Sequence, residues 1–407
     1  MLTEKFIEFM ANAPRLSKPN TPLEKRPVIV QVLPALGRGG VERGTVEMAQ
    51  AIQNAGGRAV VISAGGPLER YIVRCGATHH TLPVNVKNPL KWGSLRRKLQ
   101  QILKDENADI VHVRSRAPAW IALPVAKKLR IPTVSTVHGR FQAHSIFKRI
   151  YNGKLVKVDH VIAISKYIKQ LINSQFVGVE ERMTVIHRGV DTDVFDPQAV
   201  NQTRIINFAD SVALPEEMPV VMLPARPTLW KGHEALLNAL ALIKDLPFIC
   251  LFVGAADGKQ SFIDRITNHG VDQGLEGRFR LSHAVDDMPA ALMVADVVVM
   301  PSITPEPFGR VALEAQAMGR PLVAFDHGGA VESIKHGQTG WLAKPGDAES
   351  LAGCIRQALE LQGSERQVLA DKSRAHIERS FSTTRMCNET VKIYRRILQK
   401  SQVTTKA

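Results

Sequence analysis

The chain has 407 residues, 44% of them hydrophobic and 5% aromatic, and a formal net charge of +15. This length is enough for two ordinary domains, and no apolar run approaches the roughly 20 residues that a membrane-spanning helix needs. Residues 1–26 lack the long apolar centre of a secretory signal, so we interpret them as an N-terminal extension. The four cysteines are far apart and no zinc-ligand motif occurs, so we expect reduced thiols and no metal.

The positive charge is confined to the first half of the chain. Residues 1–200 contain 30 Lys and Arg against 15 Asp and Glu, whereas residues 201–407 contain 23 of each kind. Such a charge would suit a nucleic-acid-binding protein, but the low aromatic content and the absence of RNP, KH and zinc-finger motifs argue against that class. The charge instead predicts an anionic acceptor or surface for the first half.

Strand-like apolar runs alternate with helical runs in two series. The first series has strands at Val28–Leu33, Ala59–Ser63, Ile110–Val113, Pro132–Val137 and Val161–Ile164, with a first helix at Val41–Ala55. The second has strands at Val220–Pro224, Phe248–Val253, Arg278–Leu281, Val297–Pro301 and Pro321–Phe325, with helices at His233–Ile243, Ser261–His269, Met288–Val294 and Val311–Gly319. This α/β order predicts two Rossmann-like domains with parallel sheets, residues 27–200 and 201–407, and a terminal helix at 384–399.

A glycine-rich turn, Gly37-Arg-Gly-Gly-Val-Glu42, follows the first strand and opens the first helix. Glycines there let backbone amides approach a ligand, and a helix N-terminus favours anions. Glu42 replaces the third glycine of a dinucleotide-binding GxGxxG, which argues against a dehydrogenase, and no P-loop sequence occurs. The turn either contacts a ligand or is only a tight strand–helix connection.

Two charged pairs in the second half point to a site for a phosphorylated sugar. Arg226 and Lys231 lie in a loop between a predicted strand and helix, where open α/β sheets bind ligands, and their charges suit a diphosphate. Glu306 and Glu314 flank Pro307 and Gly309 before and within a helix. Carboxylates can accept hydrogen bonds from sugar hydroxyls, and Glu314 lies among apolar residues, where a carboxylate needs a partner.

The sequence resembles the retaining GT-B glycosyltransferases of family 4, including those that build lipopolysaccharide cores and other cell-surface glycans. The segment from Glu306 to Glu314 matches that family's E-x7-E element. The resemblance extends from about Val28 to Tyr394, and the further segments that carry it are Gly39-Gly-Val-Glu42, Ala163-Ile-Ser-Lys166, Arg188-Gly-Val-Asp191 with Phe195, Arg226 with Lys231-Gly232, Phe252-Val-Gly254, Ala295-Asp296 and Gly337-Gln-Thr-Gly340.

The resemblance implies a fold of two Rossmann-like domains facing a cleft and a role for each matching residue. Arg226 and Lys231 would bind the donor diphosphate, Glu314 the ribose and Glu306 the transferred hexose. Backbone amides would contact hexose and phosphate oxygens at Phe308, Gly309, Arg310 and Val311. Gly39 and Gly40 would close over the diphosphate, and His138 would lie near the donor sugar. From the sequence alone, His138 can equally be a strand-end histidine bonded to the backbone.

The resemblance also implies a reaction. A hexose would pass from a UDP- or GDP-linked donor to a hydroxyl of a glycan or lipid-linked acceptor, with retained anomeric configuration, no metal and no protein nucleophile. Arg188 stands where the family usually has Asn. The segment Asp191-Thr-Asp193 formally matches the DxD metal motif of another fold, and we interpret it as a structural turn. Another GT-B enzyme, such as a sugar-nucleotide epimerase, is the main alternative.

The segment Lys91–Lys104 predicts a basic amphipathic helix with Leu95, Leu99, Ile102 and Leu103 on one face. Such a helix can lie on an anionic leaflet, or it can be a surface helix whose leucines pack on the sheet. With the charge of the first half, it leads us to expect a cytoplasmic protein with peripheral contact to the inner face of the membrane.

Overall fold

The computed structural model describes residue 23 and residues 26–37, 39–141 and 145–406, with side chains up to residue 401. Arg38 of the glycine-rich turn and nearly all of the predicted extension, residues 1–26, lie outside the described residues. The described chain divides into two compact units. The first contains the residues up to Arg188 and those from Thr383 onwards, and the second contains Gly189–Ser382.

A seven-stranded parallel sheet forms the centre of the first unit as described. Its strands are β1 (Val28–Val32), β2 (Arg58–Ser63), β3 (Thr78–Thr81), β4 (Ile110–Val113), β5 (Thr133–Val137), β6 (His160–Ala163) and β7 (Met183–Val185). Their order across the sheet is β3-β2-β1-β4-β5-β6-β7, and β1 pairs with β2 from Val28 opposite Arg58 onwards. Every side chain of β1 is buried, as expected for a central strand covered by helices on both faces.

Helices connect these strands. They are α1 (Gly40–Asn54), α2 (Glu69–Arg74), α3 (Trp92–Asp105), α4 (Arg116–Leu129), α5 (Ile146–Gly153) and α6 (Lys166–Asn173). Helix α3 is the predicted basic amphipathic helix, and its residues Leu95, Leu99 and Leu103 are buried. Its apolar face therefore packs on the protein and is not available to a membrane.

The second unit contains a six-stranded parallel sheet in its described residues. The strands are β8 (Val220–Pro224), β9 (Ile249–Val253), β10 (Phe279–Ser282), β11 (Val297–Met300), β12 (Leu322–Phe325) and β13 (Trp341–Ala343), in the order β10-β9-β8-β11-β12-β13. The helices are α7 (Gln202–Ser211), α8 (His233–Ala241), α9 (Gln260–Asp272), α10 (Met288–Met293), α11 (Arg310–Ala317), α12 (Ala348–Leu359) and α13 (Gly363–Ser380). The strand order reverses between β8 and β11, which is the position where open α/β sheets bind ligands.

The last helix, α14 (Thr383–Lys406), packs against α1 in the first unit. Tyr394 is fully buried, and its hydroxyl lies 2.6 Å from His112 Nδ1 at the end of β4. The other ring nitrogen of His112 bonds the Thr136 hydroxyl at 2.8 Å. A buried polar network therefore attaches the C-terminal helix to the first sheet.

The predicted fold class, two Rossmann-like α/β domains with a C-terminal helix, is confirmed. The division of the chain differs from the predicted one. The sequence placed the boundary at residue 200 and assigned the terminal helix to the second domain, whereas the units divide after Arg188 and α14 belongs to the first. The periodicity of a sequence predicts a helix but not the sheet on which the helix packs. Here α14 packs on the first unit, where its Tyr394 is buried.

Several short elements were not predicted. The strands β3, β7 and β13 lie at sheet edges and have three or four residues each, and β3 is the polar, partly exposed Thr-His-His-Thr. Such segments lack the apolar run by which a strand is recognised. Helix α7 was not predicted either, and it begins at Gln202, directly after the boundary that the sequence indicated at residue 200. Within the described residues, no helix combines the length and apolar character that crossing a bilayer requires.

Candidate active site

A buried ion pair joins two predicted loops at the carboxyl edge of the second sheet. Lys231 ends a short 3-10 helix after β8, and Glu306 lies in the loop after β11. Lys231 Nζ is 2.6 Å from Glu306 Oε1, and the side chains are only 14% and 9% exposed. Because β8 and β11 flank the reversal in strand order, the pair lies at the expected ligand-binding edge.

Glu306 is held through both its side chain and its backbone. The Ser302 hydroxyl donates to the same Oε1 at 2.5 Å, and the Gly329 amide donates to the Glu306 carbonyl at 2.7 Å. Gly328 has φ +72° and packs so closely that a Cβ there would lie 2.7 Å from the Glu306 nitrogen. A carboxylate held in this way is pre-positioned to accept ligand hydrogen bonds with its remaining lone pairs.

The position of Lys231 depends on the glycine that follows it. Gly232 has φ +82°, and a Cβ there would lie 1.8 Å from the Pro301 carbonyl oxygen. The Lys231 ammonium lies 4.4 Å from the centre of the Trp230 ring. The Ile303 amide donates to the Trp230 carbonyl at 2.9 Å, which ties the lysine loop to the segment before Glu306. A glycine is therefore needed directly after Lys231, because a side chain at position 232 would clash with the Pro301 carbonyl.

A pocket of about 420 Å³ opens next to this ion pair, at the ends of β8 and β9. Arg226, Lys231 and Val311 are the predicted site residues that line it. The rest of the lining is Pro224, Ala225, Pro227, Val253, Gly254, Asp257, Ala284, Val285 and Met288. Arg226 is exposed, so its guanidinium is open to a ligand. An arginine and a lysine on one pocket match the charge of a diphosphate.

Helix α11 begins beside this pocket at a glycine in the left-handed conformation. Gly309 has φ +83°, and a Cβ there would lie 3.0 Å from the Met300 side chain. Phe308 is 2% exposed, and its ring packs 6.1 Å from that of Phe381. The side chain of Phe308 is therefore part of the core, and only its backbone can serve a ligand. The first amides of the helix are unbonded within it and suit an anion.

Glu314 has a partner that the sequence analysis missed. Arg310 Nη2 lies 3.4 Å from Glu314 Oε1, and the two side chains are 20% and 13% exposed. The resemblance implies a role for Arg310 only through its backbone amide. The signal was present, because residues four apart on a helix face the same side. The pairing supplies the partner that a carboxylate among apolar neighbours needs, and it does not bring Glu314 into contact with Glu306.

In the first unit, the glycine-rich turn begins α1 at the carboxyl edge of the sheet. Gly39 is extended and Gly40 is the first helical residue. Arg188, the departure from the family pattern, donates from Nη2 to the Gly40 carbonyl at 2.8 Å. A Cβ at Gly44 would lie 2.2 Å from this Nη2. Gly44 was not among the predicted site residues, yet it makes room for the arginine.

His138 directly follows β5, two strands away from the strand that leads into Gly39. Its Nε2 is buried and has no hydrogen-bond partner in the described part of the chain. Burial first, and then the charges of Arg114 and Arg188, hold the pKa of His138 well below its usual range. The imidazole is therefore neutral, and its Nε2 is a hydrogen-bonding atom that no described residue uses.

The segment Asp191-Thr-Asp193 forms a turn. Asp191 Oδ1 accepts hydrogen bonds from the amides of Asp193 at 3.1 Å and Val194 at 3.3 Å. This is the local bonding that aspartate supplies in turns. Across the described residues, no group of three or more His, Cys, Asp and Glu side chains is arranged to hold a metal ion.

Comparison with known proteins gives matches over both units. The model of the family described as Glycosyltransferase Family 4 matches residues 38–194, and that described as Glycosyl transferases group 1 matches residues 205–376. An uncharacterised glycosyltransferase from Methanocaldococcus jannaschii is 25% identical over 376 residues, which cover 88% of this chain and 94% of that protein.

Solved structures agree with these matches. A glycosyltransferase from Rickettsia africae is 32% identical, with a TM-score of 0.85, over 92% of this chain and 99% of that one. HepE from Anabaena, solved with UDP and glucose, shares the fold at 23% identity and a TM-score of 0.77, over 90% and 99% of the two chains. The family models, the relative that is 32% identical and the two Rossmann-like sheets show together that the chain belongs to the GT-B glycosyltransferases.

Proposed function

We propose that the protein transfers a hexose from a UDP- or GDP-linked donor to a hydroxyl of a glycan or lipid-linked acceptor. The observation that carries this proposal is the Lys231–Glu306 ion pair beside the pocket that Arg226 lines. A cationic end suits phosphates and an acidic end suits sugar hydroxyls. The UDP and glucose bound to HepE, a protein of the same fold, support a donor of this class.

The proposal gives each residue a role. Arg226 and Lys231 bind the diphosphate, and Lys231 has three donors, so it can keep its bond to Glu306 while it binds a phosphate oxygen. Glu306 binds the hexose and Glu314 the ribose. Backbone amides at the start of α11, from Phe308 through Gly309, Arg310 and Val311, bind hexose and phosphate oxygens. By resemblance, Gly39 and Gly40 serve the diphosphate and His138 the donor sugar.

The chemistry follows from where charge develops. The acceptor oxygen forms a bond to the anomeric carbon while the bond from that carbon to the phosphate oxygen breaks. Negative charge then grows on the leaving diphosphate, where Arg226, Lys231 and the first amides of α11 stabilise it. In the retaining route, attack occurs on the face from which the diphosphate leaves, and the diphosphate accepts the acceptor's proton. This route requires no metal and no protein nucleophile.

The setting that we propose is the cytoplasmic side of the membrane, with an acceptor from lipopolysaccharide or another cell-surface polysaccharide. The support is the charge of residues 1–200, which contain twice as many basic as acidic residues. A phosphorylated or lipid-linked acceptor would bring the negative charge that this half attracts.

A thermal-shift screen of UDP-glucose, UDP-galactose and GDP-mannose tests the donor class. A true donor at a hundredfold excess over its Kd should stabilise the protein by about 2.7 kcal/mol. Replacing Arg226 by Ala should reduce this stabilisation to between about 0.4 and 1.4 kcal/mol at the same donor concentration. Product NMR then reports the anomeric configuration, and turnover in EDTA tests metal independence. If none of these nucleotide-sugars stabilises the protein, the proposal is wrong. If the protein converts a sugar nucleotide without an acceptor, its reaction is epimerisation and not transfer.

A further inference from the structure

The first half of α5 projects apolar side chains into solvent. All residues from Ser145 to Ile150 are exposed, and Ile146, Phe147 and Ile150 are 69%, 81% and 58% exposed. These three residues occur at helix positions i, i+1 and i+4 and so share one side of the helix. Scattered exposed apolar residues are normal, but three neighbours on one helix, one of them a phenylalanine, form a patch.

A row of aromatic rings extends from α5 across α4 to α3. The rings of Tyr151 and Trp120 stack at 6.1 Å, and those of Trp120 and Trp92 stack at 5.5 Å. All three residues are partly exposed. Tyrosine and tryptophan combine an apolar ring with a polar edge and are enriched at the boundary between water and lipid.

Cations line this aromatic row. Arg96 lies 5.5 Å from the centre of the Trp92 ring, and Lys154 Nζ lies 5.6 Å from that of Trp120. Burial first, and then the nearby charges of Lys157, Arg96 and Lys127, lower the pKa of Lys154. The surface therefore gathers cations that repel one another, and an anionic partner would relieve this repulsion.

The segment of the chain that contains α4 and α5 has no acidic residue. From Ile110 to Val158 there are ten Lys and Arg and not one Asp or Glu. A nucleic acid would pair with the cations but would leave the exposed apolar side chains of α5 without a partner. Exposed apolar side chains bordered by aromatic rings and unopposed cations are the combination that an anionic lipid surface recognises.

We propose that α5 and the adjoining aromatic row (Tyr151, Trp120 and Trp92) form a docking surface for an anionic lipid bilayer. Ile146, Phe147 and Ile150 enter the interfacial layer, and Lys154, Lys157, Lys127 and Arg96 bind the headgroups. The inference deepens the proposed function, because it locates the membrane contact of a transferase that uses a lipid-linked acceptor. It also moves the apolar contact from the leucine face of α3, where the sequence indicated it, to α5, while Trp92 and Arg96 at the start of α3 border the surface.

Vesicle flotation tests the inference directly. Vesicles of phosphatidylcholine are compared with vesicles that also contain about 30 mol % phosphatidylglycerol, because anionic lipid supplies the attraction. The full-length protein should bind the anionic vesicles at least about tenfold more tightly, and less so in 1 M salt, where the screening length falls to about 3 Å. The triple variant Ile146→Ser, Phe147→Ser, Ile150→Ser should lose at least about tenfold of this binding.

A matched control removes the same number of exposed apolar side chains elsewhere. Val73→Ser, Ile206→Ser, Val368→Ser changes residues that are 62%, 55% and 51% exposed, and it should bind vesicles as the wild type does. The charge variant Lys127→Gln, Lys157→Gln should lose about fivefold or more on anionic vesicles alone. Thermal melting of every variant shows that it is folded.

Three outcomes would overturn the inference: equal wild-type binding to both kinds of vesicle, wild-type behaviour of the triple variant, or light scattering that shows a dimer which the triple variant dissociates. The last would assign the patch to a second copy of the chain. The vesicles contain no sugar acceptor, so the test does not depend on transfer. Failure of vesicle binding with intact nucleotide binding refutes only this inference, whereas failure of the wild type to bind any nucleotide-sugar refutes the proposed function.

Discussion

Lys231 and Glu306 are 75 residues apart in the chain, and their side chains form a 2.6 Å ion pair. The pair is nearly buried, and Ser302 donates a further hydrogen bond to the same carboxylate oxygen. A charge that loses its partner in such surroundings is left poorly solvated, which destabilises the fold. The two residues that we assign to phosphate and to sugar therefore also stabilise each other before any ligand binds.

We expect Lys231→Met to lower the free energy of unfolding by about 3 kcal/mol, because Glu306 is left without a counter-charge. Adding Glu306→Gln should recover at least about 1 kcal/mol, since a neutral amide does not need the lysine. Urea denaturation of the two single variants and the double variant measures this coupling. Strictly additive effects would show that the ion pair contributes nothing. Both single variants should also lose about a hundredfold or more in transfer rate.

Arg226→Ala should weaken donor binding and leave the stability of the fold nearly unchanged. Arg226 is exposed, so its loss should change the free energy of unfolding by less than about 0.5 kcal/mol. Because it lines the pocket, donor affinity should fall by about 10- to 100-fold, as expected when a charge-assisted hydrogen bond is removed. Calorimetric titration with the donor nucleotide is the measurement. Arg379→Ala, an exposed arginine on α13 outside the pocket, is the control, and an equal loss in both variants would argue against a role for Arg226.

Gly44→Ala should destabilise the first unit by about 1–3 kcal/mol, because the new methyl group would meet the Arg188 guanidinium. Gly93→Ala is the matched control: Gly93 also lies in a helix, α3, and nothing surrounds the site of its Cβ. That substitution should be neutral or should stabilise by up to about 1 kcal/mol. Thermal denaturation distinguishes the two. If steric conflict is the cause, Arg188→Asn should cost less in the Gly44→Ala background than in the wild type.

The stability of the second unit should fall in mild acid because of His233. This residue is fully buried between Phe252 and Phe262, and burial lowers its pKa to about 4 from an ordinary value near 6.5. Between these two pH values the unfolded chain binds a proton that the folded chain does not. The neutral His233 therefore makes its full contribution to the free energy of unfolding above pH 6.5. That contribution, about 3 kcal/mol in total, is lost as the pH falls towards 4.

Replacing His233 by Leu removes the titrating group and keeps an apolar side chain in its place. The free energy of unfolding of this variant, measured by urea denaturation from pH 7 to pH 4.5, should decline less steeply than that of the wild type. Parallel curves for the two proteins would show that another group causes the acid sensitivity.

Much of the architecture could be predicted because its strands are continuous apolar runs. The strands β8 and β9 are buried on both faces and each reads as an uninterrupted apolar segment, and β1 is interrupted only by the buried Gln31. The edge strands β3 and β13 could not be found in this way. A short edge strand is defined by its backbone hydrogen bonds to one neighbouring strand, and these do not require an apolar run. The packing of α14 on the first unit could not be predicted either, because its residue Tyr394 bonds His112, which is 282 residues away in the chain.

The sequence by itself determined the order of the apolar central strands and the main helices between them, the residue types at each loop and the concentration of positive charge in the first half. Those properties are local, because each depends on a residue and its near neighbours in the chain. Only the tertiary structure decided that Lys231 meets Glu306, that the leucines of α3 face inwards and that the first half of α5 is left exposed. These are decided by which surfaces the folded chain buries, and burial depends on contacts between segments that are distant in sequence.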